Sequence, residues 1–158
     1  MNHNAQIIEA FYTAFQRKDY KAMQGMYSDT ATFSDSVFKD LNAQQVRAMW
    51  EMLIKRGTDL EMTFGNIKTD GNTATAEWTA TYTFSGSGQK VINNIHARFV
   101  IKDGKIVEHK DYFPFYTWAK QALGTPGKLL GWTGFMRKKV QQKAMKGLSD
   151  FMAKNNVI

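Results

Sequence analysis

From Val91 to Phe113 the chain reads VINNIHARFVI, then KDG, then KIVEHKDYF, and this stretch restricts the available folds more than any other. Two runs alternate apolar and polar residues with the period of a strand, and the signal at Lys102-Asp103-Gly104 turns the first back on the second. The spacing predicts a three-residue loop closed by Gly104 in the left-handed region, with a bulge. In that register Ile101 faces Lys105, Phe99 faces Val107, Ala97 faces His109 and Ile95 faces Asp111, while Arg98 meets Glu108 and His96 meets Lys110 on the other surface. The opposite charges of Arg98 and Glu108 favour it over its neighbours. One face is then apolar except for His109 and Asp111, two titratable groups on the same side of a strand. A carboxylate on an apolar face needs a partner, a raised pKa or an opening onto a wet cavity.

The remaining chain supplies helices before this hairpin and a tail after it. Ile7, Ile8, Phe11, Tyr12 and Phe15 fall at helical spacing between Asn4 and Arg17. Asp19 offers an N-cap to a short second helix through Met26 and Tyr27, and Ser28-Asp29-Thr30 should break it. Ala31 to Phe38 reads as a strand with Phe33, Asp35 and Val37 on one face, which places a second carboxylate on an apolar side. Asn42 followed by Gln45 is a capping box for a third helix, which carries Val46, Met49, Trp50, Leu53 and Ile54 and ends at Gly57. The period then changes to two: Leu60 to Ile67 suggests a strand with an irregularity near Gly65, and Asp70-Gly71 is a turn. From Thr73 to Phe84, Ala74, Ala76, Trp78, Ala80, Tyr82 and Phe84 share one side. Helices followed by consecutive antiparallel strands make an α+β domain in which a strongly bent sheet wraps the helices.

A chain of 158 residues is one domain of ordinary size. No apolar run approaches the roughly 18 residues of a membrane span. The N-terminal MNHNAQIIEA lacks the pattern of a secretion signal and there are no cysteines, so the cytoplasm is the expected compartment. The net charge of +7 is unevenly placed. Residues 1–117 carry 13 Lys and Arg against 13 Asp and Glu, whereas residues 118–158 carry 8 cations against Asp150 alone. In the tail, Phe115, Trp118, Ala119, Ala122 and Leu123 suit a short helix, Gly124-Thr125-Pro126-Gly127 a firm break, and residues from about Phe135 to Lys154 a helix with Met136, Val140, Ala144, Leu148 and Met152 in a stripe. The expected division is therefore a neutral module over 1–113 and a basic helical extension over 114–158.

The order of elements, with YSDTATFSDSVF after the second helix and GKIVEHKDYF in the last strand, resembles the nuclear transport factor 2-like superfamily, also called SnoaL-like. The resemblance covers residues 4–113 and implies a cone in which a curved, mostly antiparallel sheet and three N-terminal helices enclose a pocket. It further implies a homodimer through the outer sheet face. Asp35 falls where ketosteroid isomerase carries its base, while the positions matching that family's oxyanion donors look like Phe11 and Ile95. Asp111-Tyr112-Phe113 resembles the last strand of limonene epoxide hydrolase, whose arginine and second aspartate would lie near Trp78; Glu77, Trp78, Thr79 and Ala80 stand there instead. The polyketide cyclases, with an acid/base aspartate beside aromatic walls, are the least contradicted match. Pro114 replaces the second aspartate of the DxFD motif common in the branch that this chain most resembles.

These readings define a candidate site. Asp35 and Asp111 would trade protons and His109 would tune Asp111, in a pocket walled by Tyr12, Phe15, Trp50, Trp78, Tyr82, Phe113 and Tyr116 that takes an apolar small molecule. The alternative is a non-catalytic carrier in which His109 and Asp111 form a polar floor. No phosphate loop, nucleophile elbow or dinucleotide fingerprint is present, and His96, His109 and Asp111 lack the spacing of a zinc site, so neither cofactor nor metal is expected. Nucleic acid is not expected either, because the aromatics sit at buried spacings and not along a basic groove. The basic tail reads first as a helix packed on the module, and second as a contact for anionic lipid through Trp132 and Phe135.

Overall fold

The computed structural model describes residues 2–155. Its elements run α1 (His3–Gln16), α2 (Tyr20–Gly25), β1 (Tyr27–Ser34), α3 (Ala43–Arg56), β2 (Glu61–Asp70), β3 (Thr73–Thr83), β4 (Lys90–Lys102), β5 (Lys105–Tyr112), α4 (Phe115–Ala122), α5 (Thr125–Leu130) and α6 (Gly134–Lys154). The five strands form one curled, unclosed sheet in the order β1-β5-β4-β3-β2, with β1 parallel to β5 and every other pair antiparallel. This is the α+β cone that the sequence implied.

Ala74, Ala76, Ala80 and Ala97 are buried on the concave face, and small residues there let α1 settle deep into the sheet. Phe11, Tyr12 and Phe15 of α1 fill the hollow together with Trp50 of α3 and Phe99 of β4. The helix starts are fixed locally. Asn2 accepts from the Ala5 N–H and Asp19 from the Ala22 N–H, and Asn42 and Gln45 form the reciprocal box at α3.

Four expectations need correction. The hairpin closes on two residues, with Lys102 opposite Lys105 and both Asp103 (φ 52°) and Gly104 (φ 74°) in the left-handed region. Such a turn matches the twist of the flanking strands. The extra residue enters after the turn, between the Ile101–Ile106 and Val100–Glu108 pairs, so Phe99 faces His109 and Ala97 faces Asp111. That register lies two residues from the expected one, and a shift of two preserves faces, so His109 and Asp111 still point inward. The second helix stops at Gly25, and Ser28-Asp29-Thr30 does not break the chain but lies within β1, where the register against β5 shifts. The first strand ends at Ser34: Phe33 and Leu41 exchange backbone hydrogen bonds at 3.0 and 2.8 Å, and Asp35 sits in the turn between them. Finally, Thr125-Pro126-Gly127 opens α5, with proline in the first turn, where its missing N–H costs nothing.

The C-terminal helices pack against the rest of the chain. Leu148 and Phe151 of α6 are buried, and the guanidinium of Arg56 on α3 lies 5.8 Å over the Phe151 ring. Val140, Ala144 and Met152 are half-buried against the core. Helix α4 lies along β4, where the Gln121 side chain receives the Ile92 N–H at 2.8 Å and donates to the Ile92 carbonyl at 3.0 Å. It thus completes the ladder beyond the reach of β5.

Candidate functional site

The deepest polar group is a chain of four side chains. Trp50 Nε1 lies 2.9 Å from the Tyr27 hydroxyl, that hydroxyl 2.8 Å from His109 Nδ1, and His109 Nε2 2.8 Å from Asp111 Oδ1. Their directions follow from the donor inventory. Indole can only donate, so the Tyr27 oxygen accepts from Trp50 and its own proton points to His109 Nδ1. The imidazole proton must then sit on Nε2 and point to Asp111 Oδ1. A proton on Nδ1 instead would leave the Tyr27 O–H with no acceptor. Burial, countered in part by the Trp50 hydrogen bond, raises the Tyr27 pKa well above its usual value and keeps it a phenol donor.

His109 has no exposed surface. Phe99 lies 4.1 Å from its ring centroid, Phe33 4.9 Å and Phe11 5.8 Å. The imidazole is therefore a fixed strut and touches no open space. What it holds is Asp111, whose Oδ2 remains for other chemistry.

Asp35 approaches the same region from the 34–41 turn. One of its oxygens accepts the N–H groups of Val37 at 2.7 Å and Phe38 at 2.6 Å, a local arrangement that Asp readily forms. Burial raises its pKa from 3.8 to about 7 against the lowering by those two amides, and the Asp111 charge adds to the rise. Burial raises the Tyr82 pKa, countered in part by the Trp118 hydrogen bond and supported by the Asp35 charge. The charge of Asp111 thus acts on Asp35, and that of Asp35 on Tyr82.

Tyr12 and Trp78 lie in the same aromatic cluster, their rings 6.2 Å apart. The Tyr12 hydroxyl and the Trp78 indole N–H are buried with no hydrogen-bond partner among the described residues. Burial first, then the Asp111 charge, raises the Tyr12 pKa well above its usual value. Two orphaned donors are unusual in a core and suit a site that accepts a polar atom. The amide of Asn93 is also buried on this face. Helix α4 closes the end: Trp118 Nε1 donates to the Tyr82 hydroxyl at 2.8 Å, and Phe84 lies 5.4 Å from the Trp118 ring. Ser36 Oγ donates to the Phe113 carbonyl at 2.6 Å and Gln141 reaches the Ser36 carbonyl at 3.2 Å, so α6 pins the same turn.

Of the residues expected at the site, the structure joins His109 to Asp111 by a hydrogen bond and sets the Tyr12 and Trp78 rings 6.2 Å apart, while Asp35 lies in the 34–41 turn and Tyr82 under Trp118. Phe15 and Trp50 join the ring cluster behind them at 5.1 Å from each other, and Phe113 is buried at the end of the last strand. Tyr116 does not join: it sits on the outer side of α4, 38% exposed, with its hydroxyl on the Lys128 carbonyl, because its position on the helix, two residues before Trp118, turns the side chain away toward solvent. Tyr27, Trp118 and Asn93 were missed. Asn93 was legible, since it alternates in step with Ile95 and Ala97. His96 lies on the opposite sheet face, 3.5 Å from Glu77. Among the described residues no group of three or more His, Cys, Asp or Glu is placed to hold a metal ion. Two surface concavities, of about 420 Å³ along α1 and α2 and about 520 Å³ beside the start of α6, are lined by none of these side chains, although Gln141 on the wall of the second also holds the Ser36 carbonyl.

The model of the SnoaL-like domain family matches residues 8–109. No curated protein matches the chain significantly. Among solved structures, a limonene-epoxide-hydrolase-like epoxide hydrolase from Mycobacterium tuberculosis superposes with a TM-score of 0.64 at 21% identity, covering 85% of this chain and 95% of that one. A candidate polyketide cyclase from Pseudomonas putida gives 0.63 at 23% identity, covering 77% and 98%. A protein of ketosteroid isomerase-like fold from Catenulispora acidiphila, in complex with trimethylamine, gives 0.65 at 15% identity, covering 80% and 96%. At these identities the likeness is one of fold.

Proposed function

The chain belongs to the SnoaL-like domain family, within the nuclear transport factor 2-like fold, and on that premise we propose that it is an acid/base enzyme of isomerase or cyclase type acting on a small apolar substrate. The observation that carries this reading is a pair of carboxylates in which the Asp111 charge acts on Asp35 and Asp35 is held near neutrality. A group with a pKa of about 7 is protonated and unprotonated in comparable amounts at physiological pH, the condition under which general acid catalysis is most effective. Relatives of the same fold include proteins described as an epoxide hydrolase and a polyketide cyclase, which supports small-molecule chemistry in such an interior.

In the proposed step, Asp111, steadied by the His109 Nε2–H, takes a proton from an activated C–H of the substrate. The protonated Asp35 returns one to a second atom. One C–H bond breaks, one new bond to hydrogen forms, and the two acids exchange roles. The oxygen on which negative charge develops would lie against the Tyr12 O–H and Trp78 N–H, which is the use of such buried donors that most lowers a barrier. These take the place of the family donors lacking at Phe11 and Ile95. Because aromatic side chains fill the hollow, room for a substrate would have to be made by movement, beginning with Trp118 leaving Tyr82.

The test is isotope exchange. Cyclic enolisable ketones and polyketide-like diketones are incubated with the protein in deuterated water, and deuterium uptake at carbon is followed by mass spectrometry. Catalysed uptake by the natural protein, lost in D111N and D35N while quenching of Trp fluorescence still reports binding, is the expected result. Ligands that bind without any exchange would turn the reading into that of a carrier.

A further inference from the structure

The corner between α5 and α6 carries a surface that the interior chemistry does not explain. Leu129, Leu130, Trp132 and Phe135, four large apolar side chains within seven residues, are 66%, 47%, 72% and 73% exposed. The corner is nonetheless fixed. Trp132 Nε1 donates to the Leu129 carbonyl at 3.0 Å, which spends the indole N–H and leaves the ring outward. Thr133 Oγ1 donates to the Leu130 carbonyl at 2.6 Å and accepts the Met136 N–H at 3.2 Å, capping α6. Below it, a β-carbon on Gly127 would overlap the Ala119 carbonyl, so α5 is seated tightly on α4.

The charges around this corner have one sign. No Asp or Glu occurs between Asp111 and Asp150, a span that contains Lys120, Lys128, Arg137, Lys138, Lys139, Lys143 and Lys146. Among the described residues Lys128, Lys138 and Lys139 enter no ion pair. Lys39 from the body joins Arg137 and Lys138 around a concavity of about 520 Å³ with Phe135 on its wall. The apolar stripe of α6 is meanwhile turned onto α3 through Leu148 and Phe151, so the helix itself is not the free surface. What remains is a raised apolar tip ringed by cations.

We propose that this corner docks on the surface of an anionic bilayer, with Leu129, Leu130, Trp132 and Phe135 entering the headgroup boundary and the surrounding lysines meeting acidic headgroups. Large apolar side chains on a strongly cationic, non-spanning element are what such a surface retains. Charge complementarity selects this occupant over a second copy of the chain, because two such corners brought together would place unpaired cations against cations. Among the described residues no helix is long and apolar enough to cross a membrane, so the contact is superficial.

Co-sedimentation of the full chain with vesicles of phosphatidylcholine alone, and of phosphatidylcholine mixed with phosphatidylglycerol, tests this. Binding should require the anionic lipid, weaken several-fold from low to physiological salt, and shift Trp emission to the blue. W132E/F135E should abolish it. K138Q/K139Q should weaken it by about fivefold for each charge removed, and both variants should keep the melting temperature of the natural protein. Equal recovery with both vesicles, or none with either, overturns the proposal. So does a dimer, seen by light scattering, that W132E/F135E dissociates, since that outcome assigns the corner to a second copy. K138Q/K139Q alone suffices should the double glutamate variant misfold.

Discussion

Asp35 makes an unusual demand on stability, and replacing it by asparagine isolates that demand. Asparagine keeps the side-chain oxygen that receives the Val37 and Phe38 N–H groups, so the turn survives while the ionisation is lost. In the natural protein the carboxyl titrates near 3.8 when unfolded and near 7 when folded, so over the window between these values the folded state holds a proton that the unfolded state has released. A raised carboxyl pKa reverses the common acid-labile pattern. Its stabilising share is complete below about 3.8, falls as pH rises and levels off above about 7. A tenfold difference in proton affinity between the folded and unfolded chain is worth about 1.4 kcal/mol, so from about pH 5 to about pH 8 the loss integrates to roughly 2–3 kcal/mol. D35N should therefore gain on the natural protein by that amount across the same interval, measured by guanidinium unfolding at closely spaced pH values. Asp35 is half-buried, and parallel stability curves for the two proteins would refute the raised pKa of its carboxyl.

Four further outcomes follow from the structure. Tyr27→Phe leaves the Trp50 N–H and His109 Nδ1 buried without partners, and denaturant unfolding should show a loss of about 1–3 kcal/mol. Long-range nitrogen–proton correlation spectra should place the His109 proton on Nε2; a proton on Nδ1 would reverse the hydrogen-bond chain. Trp118→Phe deprives the Tyr82 hydroxyl of its donor and should cost about 0.5–1.5 kcal/mol while speeding ligand entry in stopped-flow quenching; an unchanged entry rate would show that α4 is not the gate. Gly127→Ala drives a methyl into the Ala119 carbonyl and should lower stability by about 1–3 kcal/mol, with α5 displaced, as read by thermal melting.

What could be read from the sequence was whatever depends on near neighbours. The Asn42–Gln45 box, the alternation of β3 and the irregularity near Gly65 all appear as expected, because each is decided within a few residues. The hairpin register was wrong by two because Asp103-Gly104 permits either a two-residue turn or a longer loop, and only the placement of the bulge near Val107 distinguishes them. Faces survived that error, so His109 and Asp111 were located correctly on the inner side. The alternation of Phe33 and Val37 around Asp35 suggests a strand, whereas its carboxylate folds the chain into a turn. Tyr27 could not be found at all: its hydrogen bond to His109 spans 82 residues, and a parallel pairing at a sheet edge leaves no local mark.

That same pairing bears on how the chain reaches its native state. Among the described residues β1 pairs within the sheet with β5 alone, so Tyr27 waits for Ile106, and Phe33 for His109. During synthesis the aromatic faces of α1 and α3 therefore emerge well before the strands that shelter them, and closing so long a loop slows assembly. A fragment ending before β5 would expose Phe11, Phe33 and Trp50 together and would aggregate, whereas one extended through Tyr112 would hold the complete sheet.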